Sequence, residues 1–288
     1  MQTIVEFLKV SGAGNDFVLV DNFSLDLSID WPEFARTVCS RLFGIGADGL
    51  LVIEPGKRAA LTMLYFNADG SFGGMCGNGG RCVARYAVER GMSASPVTFE
   101  ACGRVYTASV SGDVVELRLP DILPEPKRKL FAQAGQPEIE GWFVDSGSPH
   151  VVIKTDSLDS VDVAGIGKQI RYHPLVGAPG ANVNFYQKNN PVRLRTYERG
   201  VEAETRACGT GAIATALVSF IADSIVPPVA LQVRSGEELV VNFKRTSAGF
   251  SDVSLRGSAH FLFSGTTSYD MARKTLSGMI FQPVEPNH

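Results

Sequence analysis

Short runs of β-branched and aromatic residues recur along the chain and predict strands at 17–20, 61–66, 105–110, 114–119, 151–153, 192–197, 231–233 and 239–243. Helical patterns are fewer. They fall at 32–42, where Pro32 suits a first turn, and at 81–90 and 212–224, each just behind a Cys-Gly-x-Gly. The steady strand–helix alternation of a parallel sheet is missing, so the pattern predicts a mixed α/β (α+β) fold with many strands around one long helix in each half. Pro120, Pro124 and Pro126, set among charges, mark 120–136 as a connection. The chain therefore reads as an N-terminal half, 1–120, and a C-terminal half, 121–273, and its 288 residues suit two domains. The tail, 274–288, is expected to pack back on the N-terminal half and to end in a loose tip.

The two halves say nearly the same thing. Gly14-Asn15-Asp16-Phe17 followed by Val18-Leu19-Val20 is matched by Gly147-Ser148-Pro149-His150 followed by Val151-Val152-Ile153. Further on, Cys76-Gly77-Asn78-Gly79 is matched by Cys208-Gly209-Thr210-Gly211 at almost the same offset. Shared order and spacing point to a duplicated fold.

The repeated cysteine carries chemistry. Glycines there let the backbone turn sharply and approach a ligand. The helix behind them offers unpaired N–H groups and the positive end of its dipole, which favours a thiolate and can hold a substrate carboxylate. Two such thiols solve the problem of inverting a carbon: one removes a proton from one face and the other delivers one to the opposite face. Cys39, Cys82 and Cys102 lack this setting and are read as small buried hydrophobes.

Composition narrows the field. A net charge of −3 and a pI near 5.9 leave no basic stripe for nucleic acid. Glu6 and Lys9 interrupt the start, and the apolar run 212–222 is too short to span a bilayer, so no signal peptide or membrane segment is expected and a cytoplasmic setting is. Five sparse cysteines do not suit a disulfide framework, and neither zinc-site spacing, a pyridoxal phosphate lysine motif nor a dinucleotide fingerprint is found, so neither metal nor cofactor is expected.

Ser11-Gly12-Ala13-Gly14-Asn15-Asp16-Phe17, Phe66-Asn67-Ala68-Asp69-Gly70-Ser71, Met75-Cys76-Gly77-Asn78-Gly79 and Tyr197-Glu198-Arg199-Gly200 through Ala207-Cys208-Gly209-Thr210-Gly211 resemble diaminopimelate epimerase. The resemblance implies cofactor-independent interconversion of LL- and meso-diaminopimelate, on the route to lysine and peptidoglycan. It also implies two similar halves, each a strand-rich barrel around a central helix, with the site between them, and suggests a homodimer. By position, Cys76 and Cys208 match the two catalytic cysteines, and His150 and Glu198 match residues that orient or deprotonate those thiols. Asn15, Asn67, Asn182 and Arg199 match substrate-binding positions, while Gly77, Asn78, Gly209 and Thr210 match the carboxylate-binding helix starts.

Each assignment has a plainer alternative: Asn67 as a turn residue, His150 as a satisfied core histidine, Glu198 and Arg199 as a surface pair. Four features depart from the family's usual pattern. Ser148 stands where asparagine is common and Gly49 where some members have glutamine; the stretch 200–205 is one residue longer than the common form; and Arg206 directly precedes Ala207-Cys208, where an inward guanidinium would lower the thiol pKa. Rival readings are a racemase of another amino acid on the same fold, a thiol redox protein, and a non-catalytic amino-acid binder. The proline and hydroxyproline type is disfavoured by Asn78 and Ala207.

Overall fold

Val18, Leu19 and Val20 are all buried, as are Leu50 to Ile53, so these strands are covered on both faces rather than on alternate ones. The computed structural model describes residues 2–132 and 138–284, grouped in two units: one up to Leu117 and from Ser258 onward, the other Arg118–Gly257.

The first unit runs β1 (Gln2–Gly12), β2 (Asn15–Asp21), a single turn α1 (Asn22–Leu25), α2 (Trp31–Val38), β3 (Gly49–Pro55), β4 (Leu61–Asn67), α3 (Gly77–Glu89), β5 (Val97–Ala101), β6 (Arg104–Ser111) and β7 (Val114–Arg118). Asp30 caps α2 through Glu33 N, with Pro32 in its first turn as expected. The helix stops at Val38, short of the predicted 42, and leaves Leu42 and Phe43 exposed in the following loop. Val18, Val20, Leu50 and Val52 pack with Phe34 and Val38 of α2, while Leu51 points the other way, towards Gly79 of α3.

The second unit runs β8 (Lys127–Phe131), β9 (Ile139–Asp145), β10 (Pro149–Lys154), α4 (Val163–Arg171), β11 (Asn182–Gln187), β12 (Val192–Glu198), β13 (Ala203–Thr205), α5 (Gly209–Asp223), β14 (Val229–Gln232), β15 (Glu238–Arg245) and β16 (Phe250–Ser258). Strand β8 lies inside the stretch read as a connection; residues 133–136 of that stretch fall outside the described residues, as does the tip 285–288. Helix α5 is apolar on every side and buried from Gly211 to Ser219, in contact with β9, β10, β11, β12, β14 and β15.

Strand order is the same in both units. β2 pairs parallel with β3, β3 antiparallel with β4, β4 parallel with β5, and β5 antiparallel with β6. Likewise β10 pairs parallel with β11, β11 antiparallel with β12, β12 parallel with β14, and β14 antiparallel with β15. Each unit also places an outer helix, α2 (after the single turn α1) or α4, inside its first parallel crossover, and its central helix, α3 or α5, inside the second. Both outer helices accompany the single long helix expected per half. The fold is mixed α/β and strand-rich.

Strands β17 (His260–Asp270) and β18 (Thr275–Pro283) complete the first unit. β17 pairs antiparallel with β1 along almost its whole length, and β18 pairs with β17. The sequence expectation kept 258–273 with the C-terminal half; backbone pairing to β1 places it in the first unit instead.

Candidate active site

Cys76 is the N-cap of α3 and Cys208 the N-cap of α5, both with extended backbone. Their surroundings differ. Cys76 Sγ accepts the Gly79 N–H at 3.4 Å, a third-residue capping bond made by sulfur in place of oxygen. Cys208 makes no such cap; its Sγ lies 3.5 Å from Thr210 Oγ1. Cys76 is half-buried and Cys208 is 6% exposed.

In the first unit the start of α3 is tied down by amides. Asn78 Nδ2 donates to Asn15 Oδ1 at 2.5 Å, and Asn15 Nδ2 donates to Asp48 at 3.0 Å. On the other side, the fully buried Arg81 donates to Asn78 Oδ1 at 3.0 Å. Arg41 bridges Asp48 and Asp16 at 2.7 and 2.8 Å, and Lys9 reaches Asp16 at 2.6 Å. Burial alone would raise the Asp16 carboxyl, but the bonds from Arg41 and Lys9 hold it down at about 2. Gly12 is required here: a Cβ on it would sit 2.7 Å from the Asn78 carbonyl oxygen, so the glycine lets β1 lie against the helix start. Asn67 ends β4 and closes the following turn, its Nδ2 donating to Ser71 Oγ at 2.9 Å and its carbonyl accepting from Gly70 N. Tyr65 fills the space above Gly49, where a Cβ would meet its ring at 2.5 Å.

In the second unit, strand alternation carries the argument. Val151, Ile153, Val183 and Phe185 face the apolar cluster with α4, so His150, Asn182 and Asn184 share the opposite face, towards α5. The parallel register sets His150 beside Asn182. Asn182 is buried and acts as a clamp: Oδ1 accepts the Arg199 N–H at 2.8 Å, while Nδ2 donates to Ser148 Oγ at 3.1 Å and to the Pro149 carbonyl at 3.2 Å. His150 is fully buried. Its Nε2 lies 2.9 Å from Thr210 Oγ1 and 3.0 Å from Ser148 Oγ, and its Nδ1 lies 2.9 Å from Asn184 Nδ2. Burial, helped by the Arg199 charge, pushes its pKa down to about 3. The imidazole is therefore neutral, and with Asn184 facing Nδ1 it is a donor through Nε2 rather than a base for a neighbouring thiol.

The burial of a neutral imidazole has a consequence for stability. An unfolded chain's histidine binds a proton near 6.5, the folded one only near 3, so between these values the unfolded state holds more protons. Stability is then complete above 6.5 and falls as pH drops towards 3, at up to about 1.4 kcal/mol per pH unit from this group. Urea unfolding at pH 7, 6 and 5 is expected to show that slope in the wild type and a shallower one in His150→Gln; equal slopes would contradict it.

Glu198 and Arg199 end β12. The Glu198 carboxylate accepts the Thr205 hydroxyl at 2.8 Å, across the β12–β13 pair. Glu202, inside the long connection, takes Gly200 N at 3.0 Å and Arg171 Nε at 3.1 Å, so this stretch is anchored rather than loose. Arg206 is exposed. Of the three bystander cysteines, Cys39 and Cys82 are buried as expected, and burial pushes Cys39 up to about 12. Cys102 is not: it is exposed in the β5–β6 turn with φ of 49°, because a two-residue hairpin with Gly103 needs positive φ at both positions.

The predicted residues thus gather separately within each unit. Cys76, Gly77, Asn78 and Asn15 meet at the start of α3; Cys208, Gly209, Thr210, His150 and Asn182 meet at the start of α5. Sequence reading missed Asp48, Arg81 and Asn184. For Asn184 the signal was present, since two asparagines spaced by two in an otherwise apolar strand share one face. The diaminopimelate epimerase family model matches residues 7–116 and 142–261.

The chain belongs to the diaminopimelate epimerase family.

A diaminopimelate epimerase of Aquifex aeolicus (strain VF5) is 38% identical over 281 residues, covering 93% of this chain and 99% of that protein. One of Chlorobaculum tepidum is 40% identical over 265 residues, covering 89% and 99%. Among solved structures, a hydroxyproline epimerase from Agrobacterium vitis superposes with a TM-score of 0.69 at 17% identity, over 93% of this chain and 92% of that one. A PhzF-family phenazine biosynthesis protein of Bacillus anthracis gives 0.70 at 13% identity, over 92% and 99%. At such identities these two speak for the fold alone. No described helix is long and apolar enough to cross a membrane.

Proposed function

We propose that this protein interconverts LL- and meso-diaminopimelate without a cofactor, with Cys76 and Cys208 as the paired acid and base. The observation that carries the reading is the duplicated thiol: two units of one topology, each with a cysteine as N-cap of its central helix. Inversion requires a thiolate to take the α-hydrogen from one face and a thiol to deliver a proton to the other, with roles exchanged in reverse. Ionising both thiols around one substrate is disfavoured by like-charge repulsion. The helix-start N–H groups of Gly77–Asn78 and Gly209–Thr210 are suited to the substrate carboxylate and to the negative charge it gains as the α-carbon is deprotonated.

Family membership supplies the substrate, since the relatives named above are diaminopimelate epimerases. In this reading Asn15, Asn67, Asn182 and Arg199 contact substrate, and His150 and Glu198 tune the thiols. The place in lysine and peptidoglycan precursor synthesis, the cytoplasmic setting and the homodimer belong to the same proposal. Reduced protein in deuterium oxide is expected to exchange the α-hydrogen of diaminopimelate and to bring LL and meso forms to equilibrium. Turnover of another amino acid in a panel, with none of diaminopimelate, would move the assignment to a different racemase. A reversible response to oxidant without any turnover would favour the redox reading.

A further inference from the structure

The polar atoms around His150 allow one arrangement of protons. A carbonyl oxygen only accepts, so the Asn184 amide atom 3.1 Å from the Val151 carbonyl is the nitrogen. That same nitrogen lies 2.9 Å from His150 Nδ1, and the amide oxygen is occupied by the Thr196 hydroxyl at 3.0 Å. Nδ1 must therefore accept, and the ring proton sits on Nε2. A backbone N–H only donates, so the Asn182 amide is fixed in the same way: Oδ1 faces Arg199 N, and Nδ2 spends its hydrogens on Ser148 Oγ and the Pro149 carbonyl.

The consequences run outward to sulfur. His150 Nε2–H donates to Thr210 Oγ1 at 2.9 Å. Ser148 Oγ already accepts from Asn182 and faces a protonated Nε2, so its own hydrogen turns to Thr210 Oγ1, 3.4 Å away. A hydroxyl has two acceptor lone pairs and one proton. With both lone pairs of Thr210 engaged, its proton is left for Cys208 Sγ at 3.5 Å.

We propose that Asn184 and Thr210 are positioning residues: Asn184 locks His150 as its Nε2–H tautomer, and that tautomer aims the Thr210 hydroxyl proton at Cys208 Sγ. This rests on the reading of Cys208 as an acid/base group and deepens it. The relay makes the two thiols unlike. Cys76 is served by a backbone N–H that cannot rotate, and Cys208 by a hydroxyl whose direction is set three residues deep. Hydrogen bonds to a charged group are worth about 1.5–3 kcal/mol net, so losing this one costs about tenfold or more in Cys208 thiolate at a given pH. Unit 1 has no counterpart on the matching face, where Phe17, Gly49 and Leu51 occupy the strand positions.

The test is the pH profile of Cys208 alkylation by iodoacetamide, read peptide by peptide in the intact chain. Thr210→Val is expected to slow Cys208 labelling at neutral pH about tenfold and move its profile up about one pH unit, and Thr210→Ser to restore it. Cys76 labelling in the same sample is expected to stay put, which shows that the protein is folded. Asn184→Ala is expected to mimic Thr210→Val. In parallel, nitrogen-15 spectra of His150 in the wild type are expected to show Nε2 protonated and Nδ1 bare from pH 5 to 8. An unmoved Cys208 profile in Thr210→Val, or a proton on His150 Nδ1, would overturn the relay. An unmoved profile in Asn184→Ala would remove Asn184 from it. Labelling and spectra need no substrate, so a lack of diaminopimelate turnover would sink the proposed activity without touching this result.

Discussion

Replacing either Cys76 or Cys208 with alanine is expected to abolish epimerisation of diaminopimelate, with a loss of about 10³-fold or more. The loss should be all-or-none for inversion but not for exchange. A single remaining thiol can still remove and return a proton on its own face, so each variant should wash solvent deuterium into one stereocentre configuration and leave the other untouched. Cys76→Ala and Cys208→Ala should therefore show opposite stereochemical preferences. Proton NMR in deuterium oxide with chiral chromatography reads both properties in one sample. Structural damage is expected to be limited: Cys76→Ala gives up the Sγ cap on Gly79 N, a loss of about 0.5–2 kcal/mol at most, and Cys208 makes no such cap bond. Epimerisation within tenfold of wild type in either variant would end the two-base assignment.

Gly211→Ala is expected to lose about 1–3 kcal/mol of stability and most of the activity, although alanine is the better helix former by about 1 kcal/mol. A Cβ at Gly211 would stand 2.4 Å from Asn184 Oδ1 and 3.3 Å from Cys208 Sγ. The Asn184 amide cannot step aside cheaply, since it is fully buried and bonded to His150, Val151 and Thr196. Overpacking against a fixed polar group therefore outweighs the helix-propensity gain. Gly79 is the matching residue behind Cys76, and a Cβ there meets only the tip of Leu51 at 2.8 Å, a flexible end that can turn. Gly79→Ala is accordingly expected to cost under about 1 kcal/mol. Urea midpoints for the two variants check the contrast, and equal losses would contradict it.

The unequal neighbours of Gly79 and Gly211 show how the duplicated fold diverged. Both units build the same parallel strand pair under a central helix. On the helix-facing side, unit 2 carries His150, Asn182 and Asn184, whereas unit 1 carries Phe17, Gly49 and Leu51. Unit 1 instead holds its helix start from the β1–β2 turn, through Asn15, Asp48 and Arg41. Deleting the Ser148 or Thr210 side chain is therefore expected to act on Cys208.

Much of this was readable from residues alone. Cys-Gly-x-Gly before an apolar helix is a local signal, fixed by the geometry of a few consecutive residues, and it located both caps. The repeat located one matching strand in each unit, β2 and β10. Ten of the described strands lie outside the predicted runs, among them β1, whose partner β17 stands at the far end of the chain. Helix 32–42 was read too long because Leu42 and Phe43 continue the apolar pattern, yet nothing in the fold covers them.

The sequence by itself located the candidate chemistry of this protein: two cysteines at two helix starts, on a duplicated mixed α/β frame. Such information is short-range, since a cap, a turn and a helix dipole depend on residues within a few positions. Tertiary structure alone decided which side chains surround each sulfur, and with it the protonation of His150. Those bonds join residues 34 to 62 positions apart, through strand register and helix packing. No local pattern encodes that register; it follows from which faces the strands must bury.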